Sequence, residues 1–229
     1  MDAMIRRKLS MATKALAFER QHPAEDPSQL GVTERLARVV ERSNEVIREE
    51  RRGIRDERAA RDRRREIRRG IRARLLHLAR VAEVAVRSAP DLAMRFEPPA
   101  HNGPNKTFIE MARTLLEDAT TAQEPLLAAG LGGDFLAAVA VEVAAFDAAG
   151  TEGDVARGEH IRARAELAAL AGEAIDLLQV LDGLNRVRFA DVPGLQRERE
   201  SARNIFGPVA RMGDEGPAAP ATDAAVDAA

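Results

Sequence analysis

The chain has 229 residues, with 35 Lys and Arg against 37 Asp and Glu, and it contains no Cys, Trp or Tyr. Without Cys it has no disulfide, no thiol chemistry and no Cys-ligated zinc. Only 3% of its residues are aromatic, and Val and Ile rarely alternate with polar residues, which fits packed Ala- and Leu-rich helices better than a β-sandwich, with enough length for one or two cores.

The first element spans Asp2 to His22, where Ile5, Leu9, Ala12 and Leu16 recur at helical spacing. Arg6, Arg7 and Lys8 are not followed by an apolar run, so the segment does not read as a secretory signal. Pro23 to Gly31 reads as a polar connector with a second proline, Pro27.

Thr33 to Ser88 follows without a proline and predicts one long helix of ~84 Å, with Gly53 and Gly70 as the places where it would break. Leu36, Val40, Ile47, Ile54, Ile71, Leu75, Leu78, Ala82 and Ala85 share an alternating register of four and three. In the middle of that register stand Glu50, Glu57, Arg61, Arg64 and Arg68. Between Arg48 and Arg74 there are 13 Arg and 6 acids, a local charge of +7. Arginine outnumbers lysine throughout the chain, and a GC-rich genome would account for that preference without selection for phosphate.

Ala89–Pro90 ends the rod, and a proline-rich connector leads to a helix beginning at Asn105–Thr107. Thr107-Phe108-Ile109-Glu110 matches a capping box. Phe108, Ala112, Leu115, Ala119 and Ala122 form the inner face, and Pro125 would kink the last turn. Gly130 to Gly133 reads as a turn, with Asp134 capping the next helix. The apolar stretch Leu126 to Phe146 carries Asp134, Glu142 and three glycines, so it predicts two helical segments of a cytoplasmic protein rather than a membrane span.

Gly150-Thr151-Glu152-Gly153 allows two readings, a turn between back-to-back helices or a second rod from Asp134 to Ala190. Two glycines inside a helix cost ~2 kcal/mol relative to alanine, which favours the turn. Beyond it, Ile161, Leu167, Leu170, Ala174, Leu177, Leu181 and Leu184 form the strongest apolar stripe. Pro193 opens a short helix to about Phe206, and residues 207–229 read as a disordered tail. The expected organisation is therefore an N-terminal helix over 1–22, a bundle over 33–206 and the tail. The fold class is all-α, an antiparallel helical bundle with one extended helix.

Asn105-Lys106-Thr107-Phe108-Ile109, Gly133-Asp134-Phe135-Leu136, Val180-Leu181-Asp182, Asp191-Val192-Pro193 and Ser201-Ala202-Arg203 resemble landmarks of uncharacterised all-helical bacterial proteins of similar length. The resemblance covers roughly residues 90–206. It implies a helical fold and carries over no activity and no site residue.

Catalytic signatures are lacking. A di-iron bundle needs two Glu-x-x-His motifs, and the chain has one, Glu19-Arg20-Gln21-His22. His77 and His160 lack partners at ligand spacing. Gly130 to Gly133 has neither the preceding strand nor the lysine of a nucleotide fingerprint. No cofactor or enzymatic activity is expected. The polar stretch His101 to Asn105 has the character of a binding loop or a plain connector.

The sequence thus points to a structural or protein-interaction module, with Arg61, Arg64 and Arg68 as the interaction residues. The alternative is a nucleic-acid-associated protein using the arginine-rich helix 48–74. A homodimer is expected, because the rod outruns every other certain helix and part of its seam would need a cover. Asp134 to Asp176 holds nine acids against three Arg, and it is expected to face the arginine run.

Overall fold

Proline and capping residues set the ends of most helices in the computed structural model, which describes residues 2–92, 95–100 and 102–203. Helix α1 (Ala3–Gln21) starts where the Asp2 carboxylate accepts the Met4 N–H at 2.7 Å. Helix α2 (Pro27–Ala85) starts six residues earlier than expected. Pro27 occupies its first position, where a missing N–H costs nothing. The Asp26 carboxylate accepts the N–H groups of Ser28 and Gln29, each at 3.3 Å. Asp26 and Pro27 are therefore a start signal inside what reads as a connector.

Helix α3 (Asn105–Thr121) begins behind Pro104 with no side-chain cap, so Thr107 lies inside the first turn and the expected capping box does not form. Helix α4 (Gln123–Ala128) is separate from α3, with Pro125 in its first turn. It ends in a Schellman motif. Gly130 adopts φ 99°, its N–H bonds Leu127 O at 3.0 Å, and Leu131 N–H bonds Leu126 O at 2.9 Å.

Helix α5 runs unbroken from Phe135 to Arg188, 54 residues, and this corrects the expected turn at Gly150–Gly153. The fold holds two extended helices rather than one. Helix α6 (Pro193–Arg203) closes the described chain. The described residues contain no strand, and none of their helices is long and apolar enough to cross a membrane. The tail expected over 207–229 lies outside them.

The described residues form two units, one made of residues 2–43 and 168–203 and the other lying within residues 44–167. These boundaries fall inside α2 and α5. In the first unit, Ala12 and Leu16 of α1, Leu36 and Val40 of α2, and Ala174, Leu177 and Leu181 of α5 share one core. A buried polar triad ties the same three helices together. Gln29 Nε2 donates to Glu19 Oε2 at 3.1 Å and to Asn185 Oδ1 at 2.7 Å, and Asn185 Nδ2 donates to Glu19 Oε1. Glu19, read above as half of a metal motif, thus serves this triad, and His22 instead lies 3.7 Å from Glu198.

In the second unit, Ile71, Leu75 and Leu78 of α2 meet Phe108, Ala112 and Leu115 of α3, Leu126 of α4, and Val139, Val143 and Phe146 of α5. Leu92 and Phe96 join them from the proline-rich connector. The pairs Glu50–Arg164, Arg63–Glu152 and Arg74–Glu142 run in opposite residue order, so α2 and α5 are antiparallel here. Through the arginine-rich middle of α2 the buried row is Val46, Glu50, Gly53 and Ala60. Ile47, Ile54 and Arg61 stand one residue beside it. The cover that the rod was expected to find in a second copy comes, in this unit, from α5 of the same chain.

Candidate functional site

Helical geometry brings Arg61, Arg64, Arg65 and Arg68 to one side of α2, since residues three, four and seven apart are neighbours there. Opposite them α5 presents Gly150, Gly153 and Arg157 at the same kind of spacing, and α3 contributes its first residue, Asn105. Together they line a cleft of about 510 Å³ in the second unit. Its wall holds five arginines and two acids, Glu57 and Asp154.

The glycines make the cleft possible. A Cβ on Gly150 would lie 2.9 Å from Arg64 Cζ, and one on Gly153 would meet Ala60 Cβ at 3.6 Å. Gly53 answers from α2, where a Cβ would come within 3.1 Å of the Ala156 carbonyl oxygen and of His160. These small residues let the two helices approach closely, and that contact offsets the intrinsic helix penalty of Gly150 and Gly153.

The three arginines singled out from the sequence are each held differently. Arg61 Nη2 donates to Glu57 Oε1 on its own helix at 2.7 Å. The Arg64 guanidinium lies over the Phe146 ring, 4.4 Å from its centroid, and its Nε is buried without a hydrogen-bond partner. The Arg68 guanidinium lies 4.4 Å over Phe108 and donates to Asn105 Oδ1 and to Gly103 O, both at 2.6 Å. Phe108 and Phe146 are themselves neighbours, with centroids 6.1 Å apart. Arg64 and Arg68 therefore cap the aromatic end of the core, where cation–π contacts are worth ~0.5–2 kcal/mol each. Burial, followed by the charge of Arg72, draws the Arg68 guanidinium below its ordinary pKa.

The basic and acidic segments do face each other within the chain, through residues other than those three. Arg63 pairs with Glu152 at 3.0 Å and Arg74 with Glu142 at 2.9 Å. The polarity reverses at Arg164, whose Nε meets buried Glu50 at 2.9 Å. Arg63 and Glu152 are more than half exposed, so that pair contributes only ~0.2–1 kcal/mol.

Sequence reading missed Gly150, Gly153, Arg157 and Asn105 as parts of one wall. The available signal was small residues at helical spacing on both rods, Gly53 and Ala60 on one and Ala149, Gly153, Ala156 and Ala163 on the other. The loop at Gly103 and Asn105 acts as the anchor of Arg68; His101 lies outside the described residues. Among the described residues no three His, Asp or Glu side chains gather as metal ligands. The chemistry of this wall is cationic: guanidinium groups that bind anions by charge and by paired hydrogen bonds. Compared with protein-family models, curated proteins and solved structures, the chain has no match.

Proposed function

We propose that this protein is a non-catalytic helical interaction module that docks an acidic protein partner on the outer face of α2. The observation that carries this reading is a stripe. Arg51, Arg55, Arg58, Arg65 and Arg69 are all exposed and fall within one narrow sector of the helix, interrupted only by Asp62. The stripe is ~27 Å long. Arg65 and Arg69 have loose local pairs with Asp62 and Glu66, at 3.3 and 3.7 Å. Arg51, Arg55 and Arg58 make no ion pair among the described residues. Such a row attracts carboxylates and steers encounter more than it adds affinity.

A protein partner fits better than nucleic acid. Asp62 and Glu66 lie in or beside the stripe, where they repel phosphate, and the whole chain is negative at −2. With no Trp or Tyr the chain also offers little for bases to stack on.

The test compares parent protein with the triple variant Arg51→Glu, Arg55→Glu, Arg58→Glu. Labelled polyglutamate and a labelled DNA duplex are titrated at physiological salt. Polyglutamate should bind the parent and not the variant, while the duplex should bind weakly and steeply less as salt rises. Tight duplex binding at physiological salt would replace this reading with the nucleic-acid one. Light scattering reports whether the partner is a second copy. A dimer gives twice the 24.9 kDa chain mass, and the triple variant should then fall back to a monomer.

A further inference from the structure

We infer that the cleft between α2, α5 and the start of α3 is a binding site for a compact polyphosphate. The ligand carries two or three linked phosphate groups, as inorganic polyphosphate or as the tail of a nucleotide. This inference goes beyond the partner-docking stripe: Arg65 belongs to both, but Arg61, Arg64, Arg68 and Arg157 line the cleft alone.

Charge comes first. Five arginines against Glu57 and Asp154 leave the wall at +3. Glu57 is already engaged by Arg61 at 2.7 Å. Arg157 is exposed and makes no ion pair among the described residues. The Nε of Arg64 is buried and has no hydrogen-bond partner. A single carboxylate would leave most of this charge uncompensated, whereas linked phosphates match it and accept the paired donors of a guanidinium fork.

Size and order agree. A cleft of about 510 Å³ exceeds the needs of one phosphate and falls in the ~300–1,000 Å³ range of small-ligand sites. Arg64 and Arg68 are held in place by Phe146, Phe108, Asn105 and Gly103, so less side-chain freedom is lost when a ligand binds. Helix α3 has no side-chain cap, and its first residue lines the cleft, so the positive end of its dipole adds to the potential there. The two rings nearest the cleft's arginines, Phe108 and Phe146, are covered by those same guanidinium groups and cannot stack on a base. The site therefore reads phosphates and not a base.

Isothermal titration of the full chain with sodium tripolyphosphate at low salt tests this. One site per chain is expected, with affinity falling as salt rises. Nucleoside triphosphate should bind about as well as tripolyphosphate, and orthophosphate far more weakly. Arg157→Ala should weaken binding roughly tenfold, the loss of one charge-assisted hydrogen bond. Asp154→Asn should tighten binding, because it removes a carboxylate facing the ligand. Arg51→Ala, outside the cleft, should change nothing, which separates this site from the stripe. Both Arg157 and Asp154 are exposed, so circular dichroism should show these variants folded like the parent. Absence of tripolyphosphate binding to the folded parent, an unchanged affinity in Arg157→Ala, or binding of nucleotide alone would each overturn the inference.

Discussion

Gly53→Ala and Gly158→Ala make the same chemical change in helix interiors, yet they should move stability in opposite directions. Each gains ~0.8–1.0 kcal/mol of helix propensity. At Gly158 an added methyl meets nothing within 4 Å, so the gain should appear in full. At Gly53 it would lie 3.1 Å from Ala156 O, from His160 N and from His160 Cβ. Two of those three atoms are backbone, so relief requires α2 and α5 to separate locally, and overpacking of this kind costs ~1–3 kcal/mol. The net expectation is ~1 kcal/mol of stabilisation for Gly158→Ala and up to ~2 kcal/mol of destabilisation for Gly53→Ala. Since the chain has no Trp or Tyr, urea unfolding is followed by far-ultraviolet circular dichroism. The midpoint should shift with the slope unchanged. Equal stabilisation by the two variants would refute the close approach of the helices at residues 53 and 156.

Two further perturbations probe the buried polar groups. Asn185→Ala leaves Glu19 and Gln29 each short of a partner inside the first unit, and melting should show a loss of ~2 kcal/mol or more; a change near zero would mean that the triad contributes no net stability. Glu50 is 3% exposed, and its carboxyl sits below the ordinary 4.5: burial works to raise it, while the hydrogen bond and charge of Arg164 are among the influences that lower it. A carboxyl depressed by folding contributes stability that is present above pH 4.5 and lost as pH falls through the folded value. Glu50→Gln should therefore show a shallower acid decline than the parent, and parallel declines would count against the pairing.

The helical class was legible in the residues themselves, because apolar side chains recur at helical spacing and prolines punctuate the chain. So was the antiparallel core at Ile71, Leu75 and Leu78, and so was the opposition of a basic and an acidic segment. Local signals failed where one residue type serves two purposes. Gly150 and Gly153 carry a turn's composition, yet they lie inside α5, because a glycine that costs ~1 kcal/mol in isolation also removes the Cβ that would hold two helices apart. Gly53 and Ala60 form a buried row that leaves almost no hydrophobic signal, so the larger Ile47 and Ile54 drew the register one residue aside. Arg64 and Arg68 looked misplaced at a seam until Phe146 and Phe108 arrived beneath them from other helices. Helix, stripe and charge are properties of neighbours in the chain, and sequence determined them. Which small residues face each other, and which cations find a ring, depends on segments far apart in sequence, and only the tertiary structure decided it.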